Sequence, residues 1–293
     1  MNVYFLSLLL GIVEGLTEFL PVSSGAHLRI AEALMKIPAA DPFWAMYTIV
    51  IQMGAILALC LLFLARIVDL MRTFPGGEGR NRNWLNHPIS LTLIAFACTS
   101  APALLLRRWS EKNLGSPQAM AIALLIGGAA MWAVDAWSGR HEPNTRDVEE
   151  MGLFQAVWIG LCQALAAIFP GTSRPMSTIT AGQMTGLSRP AAVEFSFLLS
   201  IPTMIAATAW ECWKEIHPGR GALAAGMLPA HVAMSPERWG VLLIGVIVSF
   251  IVAAGVVEWF LYWVQKHGFA VFAIYRILLG GWLLIWGVKV IGG

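Results

Sequence analysis

Glu14 and Glu18 stand four residues apart in an apolar run near the N-terminus, and on a helix that spacing stacks both carboxylates on one face. Two carboxylates this close in a low dielectric resist joint ionisation, so either one carries a proton or a cation lies between them. Hard carboxylate oxygens suit Mg2+ or Ca2+, and a pair of them holds Mg2+ well only when phosphate oxygens complete the shell. After Pro21 comes Val22-Ser23-Ser24-Gly25-Ala26-His27: two hydroxyls, a flexible turn and an imidazole at the start of a returning helix. Free N–H groups at such a start bind anions. Ser24 and His27, three apart, share a helical face, which permits a hydroxyl nucleophile with a base or acid beside it. The plainer reading of these serines is that they bond backbone carbonyls, as serines in membrane helices often do.

A second constellation reads Pro170-Gly171-Thr172-Ser173-Arg174-Pro175-Met176-Ser177-Thr178. An arginine within apolar sequence needs an anion or a carboxylate as partner, and its fork of donors matches phosphate oxygens. Pro175 suits a first helical turn, where its missing N–H costs nothing, and Ser173, Thr172 and Thr178 add hydroxyl donors. Arg174 could equally bridge to a glutamate of the first constellation, which does not exclude phosphate. Pooled, the two stretches compose a site for a phosphorylated substrate and a divalent ion. Chemistry on phosphate needs charge neutralisation and positioning more than covalent machinery.

The elements that must position these residues lie in lipid. Of 293 residues, 58% are hydrophobic and 12% charged, where soluble domains carry roughly 25% charged residues, and the mean hydropathy is +0.70. An ordinary soluble enzyme is excluded, and the natural substrate of a phosphate site in a bilayer is a lipid that carries phosphate. A net charge of +2 without a dense basic run implies no nucleic-acid partner. Cys60, Cys98, Cys162 and Cys212 are scattered singly and read as packing residues. The N-terminus has no basic region before its apolar run, so a cleaved signal peptide is not expected.

A membrane crossing needs about 20 apolar residues, and six stretches qualify: 44–65, 89–106, 117–137, 191–213, 239–262 and 269–290. Two further stretches, 4–20 and 152–169, each run into a proline and a Ser/Thr cluster, followed by short apolar pieces at 26–37 and 176–187. Both are expected to be helix–turn–helix hairpins that enter and leave on one side. Irregular backbone at that depth is tolerated only where protein or a wet cavity satisfies it, so the turns must line something. Gly11-x-x-Glu14-x-Leu16-x4-Pro21-x-x-Ser24 aligns without gaps on Gly160-x-x-Gln163-x-Leu165-x4-Pro170-x-x-Ser173.

The expected fold is therefore an all-α polytopic membrane protein, about six transmembrane helices plus two re-entrant hairpins in an inverted-topology repeat. One transmembrane domain covers 1–293, with repeat one about 1–115, repeat two about 150–262 and a last helix at 269–290. Transporters and lipid flippases share this architecture, but a cation carrier has little use for Arg174. Segments 66–88 and 138–151 read as solvated loops, and Trp109, Trp137, Trp239 and Trp263 as interfacial anchors. Lys and Arg do not decide the orientation.

At these motifs the chain resembles the undecaprenyl-diphosphate phosphatase family, the bacitracin-resistance proteins. Glu14-Gly15-Leu16-Thr17-Glu18-Phe19-Leu20-Pro21-Val22-Ser23-Ser24 resembles the family's glutamate-rich motif, with His27 in place. Phe169-Pro170-Gly171-Thr172-Ser173-Arg174 with Thr178 resembles its second motif, and Glu194-Phe195-Ser196-Phe197-Leu198-Leu199 continues the likeness. The resemblance implies hydrolysis of undecaprenyl diphosphate to undecaprenyl phosphate and inorganic phosphate, recycling a lipid carrier for cell-wall synthesis in a bacterial inner membrane, with the pocket facing the periplasm. It implies metal and general-base roles for Glu14 and Glu18, a nucleophilic Ser24, proton transfer or phosphate holding by His27, and a diphosphate grip by Arg174, Ser173 and Thr178, with Thr172 and Ser23 beside them. Partners would be the polyprenyl diphosphate and membrane lipids; a homodimer stays open. Where the family has Ser-Arg-Ser-Gly, this chain has Pro175 and Met176 after Arg174, losing a hydroxyl and a glycine. That change alone would suit a catalytically inactive binding relative.

Overall fold

The computed structural model describes residues 2–38, 41–76, 84–106, 110, 116–216 and 234–287. These residues are helical throughout, and the isolated bridge Thr145–Leu187 is their sole β-type pairing. Six helical stretches are long and apolar enough to cross a membrane: Pro42–Leu62, Pro88–Leu105, Pro117–Ser138, Arg189–Trp210, Pro236–Val264 and Ala270–Gly287. They match the six expected crossings to within a few residues, and the chain is a multi-pass membrane protein.

In chain order the helices are α1 (Val3–Thr17), α2 (Ser24–Leu34), α3 (Pro42–Val50), α4 (Gln52–Leu62), α5 (Leu64–Thr73), α6 (Pro88–Leu105), α7 (Pro117–Ser138), α8 (Leu153–Ile168), α9 (Arg174–Met184), α10 (Arg189–Ile216), α11 (Pro236–Val264) and α12 (Ala270–Trp282). Sequence signals set the starts. Proline sits in the first turn of α3, α6, α7 and α11, preceded by Asp41, His87, Ser116 and Ser235, whose side chains accept a backbone N–H of that turn. Such caps satisfy donors that the helix itself leaves unpaired. The first crossing is interrupted at Ile51, between α3 and α4.

The expected hairpins are α1–turn–α2 and α8–turn–α9, and their backbones repeat in detail. Ser23 and Ser173 cap α2 and α9 with φ of 78° and 73°. At the far ends, Lys36 and Gly186 are both left-handed (φ 56° and 86°), and Ile37 N–H bonds the Glu32 carbonyl as Leu187 N–H bonds that of Gly182. All these pairs are 150 residues apart, whereas Gly11 and Gly160, Glu14 and Gln163 are 149 apart. The gapless alignment therefore slips at the turn, where the second hairpin has one residue more than the first. Ser173 is the structural counterpart of Ser23, and Arg174 that of Ser24.

Each hairpin's first helix packs along a long helix from the other half of the chain. α1 lies on α11, where a Cβ at Gly11 would come within 2.9 Å of the Gly245 carbonyl oxygen, and α8 lies on α6, where one at Gly160 would run into the Ala95 carbonyl. α7 and α12 pack on each other with Gly128 against the Ala273 carbonyl and Gly280 against that of Ala121. Small residues let backbones approach where lipid gives no hydrophobic drive between helices.

Two expectations need correction. Segment 66–88 is not simply loop: it begins within the amphipathic helix α5, which buries Leu70 and turns Asp69 and Arg72 outward. Arg66 there pairs with Glu149 and, at 2.7 Å, with Glu194. Segment 138–151 is tied down by that contact, by fully buried Val148 and by the bond from Ser188 N–H to the Thr145 carbonyl. Glu149 is thus cross-linked, whereas Arg140, His141, Glu142, Asp147 and Glu150 stay exposed, as solvated residues do. Trp137 and Trp239 are exposed, as anchors would be, whereas Trp263 packs on the core; Trp109 lies outside the described residues. Cys60, Cys98 and Cys162 are free and partly buried, as packing residues are.

Because a Cβ at Gly160 meets backbone rather than a movable side chain, Gly160→Ala must separate α6 from α8. It is expected to lower stability by about 1–3 kcal/mol, read as a lower melting temperature in detergent. Gly255→Ala, where nothing lies within 4 Å, leaves the melting temperature unchanged or higher.

Candidate functional site

The turns of the two hairpins meet. Arg174 Nη2, from the first turn of α9, donates to Glu18 Oε1 at 2.6 Å, and Ser24 Oγ, from the first turn of α2, donates to Glu18 Oε2 at 2.6 Å. One carboxylate, with its side chain 2% exposed, thus takes a cation from the second hairpin and a hydroxyl from its own. A charge-assisted contact in a water-poor setting is strong in both geometry and energy. The bridge from Arg174 to a first-hairpin glutamate, open in the sequence, is present. The Arg174 side chain remains 23% exposed, and it borders a cavity of about 440 Å3 that is also lined by Glu18, Ser23, Ser24, Gly25, Arg29, Gln52, Gln163, Gly171 and Ser173.

The other sequence candidates divide between the cavity and its supports. Ser23 and Ser173 line the cavity and also accept the N–H groups of Ala26 and Met176, each at 3.4 Å. Thr178 is buried with its hydroxyl 2.6 Å from Ser196 Oγ and 2.9 Å from the Arg174 carbonyl, so it fastens α9 to α10. Thr172 donates to the Phe169 carbonyl at 2.9 Å and borders the neighbouring groove beside α7. Pro175 occupies the first turn of α9 and also borders the cavity.

His27 is not brought to Ser24. Its Nδ1 lies 2.7 Å from the Ser23 carbonyl and its Nε2 2.6 Å from the Tyr275 hydroxyl. A carbonyl only accepts, so Nδ1 is the donor, and in the neutral ring Nε2 accepts from Tyr275. The two rings stack at 5.6 Å. The shared helical face deduced from the i, i+3 spacing is real, but a residue of the last crossing captures the imidazole.

Glu14 is fully buried behind Glu18, and neither of its carboxyl oxygens has a hydrogen-bond partner. Its charged neighbours are Glu18 and Arg174. A buried carboxyl group with no donor is costly, so this pair can accept a proton or a cation. Among the described residues no cluster of three or more His, Cys, Asp or Glu side chains is placed to hold a metal. Glu14 and Glu18 are hard oxygen donors of the kind that Mg2+ or Ca2+ takes, and such an ion would need further oxygens, as a phosphate offers, to complete its shell.

Sequence reasoning missed Gln52, whose Oε1 accepts from Arg174 Nη2 at 3.3 Å, and Arg29 on the cavity wall. It also missed Arg276, fully buried in α12. A charged or strongly polar residue inside an apolar crossing is the signal that marks such positions, and both Gln52 and Arg276 carry it.

A family model described as bacitracin resistance protein BacA matches residues 7–282. The undecaprenyl-diphosphatase of Koribacter versatilis is 53% identical over 99% of this chain and 100% of its own. That of Novosphingobium aromaticivorans is 39% identical over 98% of both chains, and that of Caldanaerobacter subterraneus 38% identical over 96% of this chain and 94% of its own.

Removing Arg174 while Glu18 stays buried leaves a carboxylate without its cation. Arg174→Ala is expected to lower stability by about 2–4 kcal/mol, with the double variant Arg174→Ala/Glu18→Gln regaining part of that loss, both read from melting in detergent. Equal melting temperatures for the single and double variants would contradict the pairing.

Proposed function

Because the chain belongs to the bacitracin resistance protein BacA family, we propose that it hydrolyses undecaprenyl diphosphate to undecaprenyl phosphate and inorganic phosphate. The observation that carries this reading is the convergence, at the two turns, of Ser24, Glu18 and Arg174 on one polar cavity within an apolar fold. A transporter has no need of a hydroxyl held on a carboxylate, and the relatives bear an enzyme's name. Retention of Ser24, Glu18 and Arg174 in contact, with Pro175 accommodated in the helix start, argues against an inactive relative.

The terminal phosphate enters the cavity and competes with Glu18 for the Arg174 guanidinium, whose fork of donors then neutralises its oxygens. Glu18, relieved of Arg174, takes the Ser24 proton across the 2.6 Å contact. Ser24 Oγ bonds to the terminal phosphorus as the anhydride P–O bond breaks, and undecaprenyl phosphate leaves with that electron pair and with the proton that Glu18 had taken, which returns Glu18 to its carboxylate. Water, surrendering a proton to Glu18, then attacks the phosphorus of the phosphoserine, inorganic phosphate forms as the Ser24 O–P bond breaks, and Glu18 passes that proton to Ser24 Oγ. Glu14 and Glu18 would hold a divalent ion, which, when bound, supplies positive charge to the phosphate oxygens. Thr178 fixes the start of α9 and His27 that of α2; neither needs to touch the substrate.

In this reading the hairpins are re-entrant and enter from opposite faces of a bacterial inner membrane, with the cavity open to the periplasm. The matched backbones of the hairpins, the three candidate crossings between them and the contact of their turns support that placement. The first helices of both hairpins then begin on opposite sides. In a variant otherwise lacking cysteine, Asn2→Cys and Gly152→Cys are expected to react with an impermeant thiol reagent from opposite faces of oriented vesicles; labelling from the same face would exclude inverted topology.

Purified protein in detergent, where no gradient exists to drive transport, is expected to release phosphate from undecaprenyl diphosphate. A chelator should reduce that release and Mg2+ or Ca2+ should restore it. Ser24→Ala should lower turnover by on the order of 10²-fold or more, and rapid quenching of the unaltered protein should trap phosphate on Ser24. Near-normal turnover by Ser24→Ala would instead assign the attack to water.

A further inference from the structure

Arg276 lies in α12, outside both hairpins, and is fully buried. Among the described residues it forms no salt bridge with a carboxylate. Its hydrogen bonds go to main-chain carbonyls: Nη1 to Pro21 at 3.3 Å, and Nη2 to Gly171 at 3.1 Å, Thr172 at 3.0 Å and Ala123 at 3.2 Å. Pro21 and Gly171 are equivalent in the 150-residue register that relates Ser23 to Ser173. One guanidinium therefore grips the same carbonyl in both turns at once.

From this geometry we infer that Arg276 is a positioning residue for the reaction, which sets the diphosphate-binding conformation of both turns without touching the substrate. Each gripped carbonyl lies two residues before a serine in the left-handed region, Ser23 at φ 78° and Ser173 at φ 73°. Non-glycine residues there cost of order 1–3 kcal/mol and persist only where their surroundings over-determine them. Across a trans peptide the carbonyl and the following N–H point opposite ways. With the Thr172 carbonyl held on Arg276, the N–H of Ser173 turns away from Arg276, and Ser173 itself lines the cavity. Ser23 and Ser173 in turn start the helices that carry Ser24 and Arg174. The neighbouring Tyr275 adds a second hold on the first turn through His27.

The grip uses both terminal nitrogens of a planar fork at fixed separation, whereas a lysine offers a single point charge on one nitrogen. Misplacing a catalytic group by about 1 Å can cost on the order of 10²-fold. The inference rests on the phosphatase reading, so its test compares variants with an active parent. The readouts are kcat, KM and the inhibition constant of a prenyl methylenebisphosphonate, in which carbon replaces the bridging oxygen. An inhibition constant does not change when part of a preparation is merely inactive, so it separates positioning from loss of fold.

Arg276→Lys is expected to raise that constant about tenfold or more and to lower kcat by a similar or larger factor. Gly127→Ala provides the same test without removing a polar group, because its Cβ would fall 2.6 Å from Arg276 Nη2 and 2.6 Å from Met176 Cε; it decides the matter if Arg276→Lys is not recovered folded. Gly281→Ala, in the same helix with nothing within 4 Å, should match the parent. An inhibition constant within twofold of the parent in folded Arg276→Lys, or in Gly127→Ala where that variant decides, overturns the inference. Absence of phosphate release by the parent itself would overturn the phosphatase reading instead.

Discussion

Two helices that stop short inside an apolar molecule leave main-chain donors and acceptors which lipid cannot satisfy. Every other feature of the site answers that constraint. The carbonyls on one side of the turns are taken by Arg276, the first amides of α2 and α9 are capped by Ser23 and Ser173, and the faces left over border a polar cavity. A broken helix is thereby turned from a liability into a surface of directed donors, of the kind that stabilises developing charge without reorganising.

The division of labour between the hairpins follows from their small differences. Up to the turn they match at one spacing, and beyond it at another, because the second hairpin holds an extra residue at its turn. The slip brings Arg174 to the place where the first hairpin has Ser24, so the two equivalent positions supply a cation and a hydroxyl. Both reach the same carboxylate, Glu18. Likewise Gln163 stands where the first hairpin has Glu14, and it bonds Thr203 rather than sharing an anionic pair. A repeat with identical halves would bring two carboxylate pairs together, and their repulsion would oppose closure.

The asymmetry extends to α7 and α12. On the first hairpin Tyr275 meets His27 and fills the space beside the helix start. On the second, Ala123, Gly127 and Ser177 border an apolar groove of about 590 Å3. The pairing of small residues across α7 and α12 brings Arg276 close enough to both turns to bridge them, so helix packing and site geometry are one problem rather than two.

Much of this was legible in the residues alone. Length and polarity of apolar runs fix six crossings, because a helix must cover the hydrocarbon thickness, and a proline followed by hydroxyl residues marks each turn because such residues end one helix and cap another. The acid pair, Ser24 and Arg174 declare themselves because charge in apolar sequence requires a partner. What the sequence could not specify was which groups would meet across 150 residues: that Glu18 rather than Glu14 receives Arg174, that His27 turns to Tyr275, that Arg66 ties Glu149 to Glu194, and that a one-residue slip exchanges Ser24 for Arg174. Helical period and local capping are written in neighbouring residues, whereas the partners of a buried charge are chosen by how distant helices pack, and only the tertiary structure decides that.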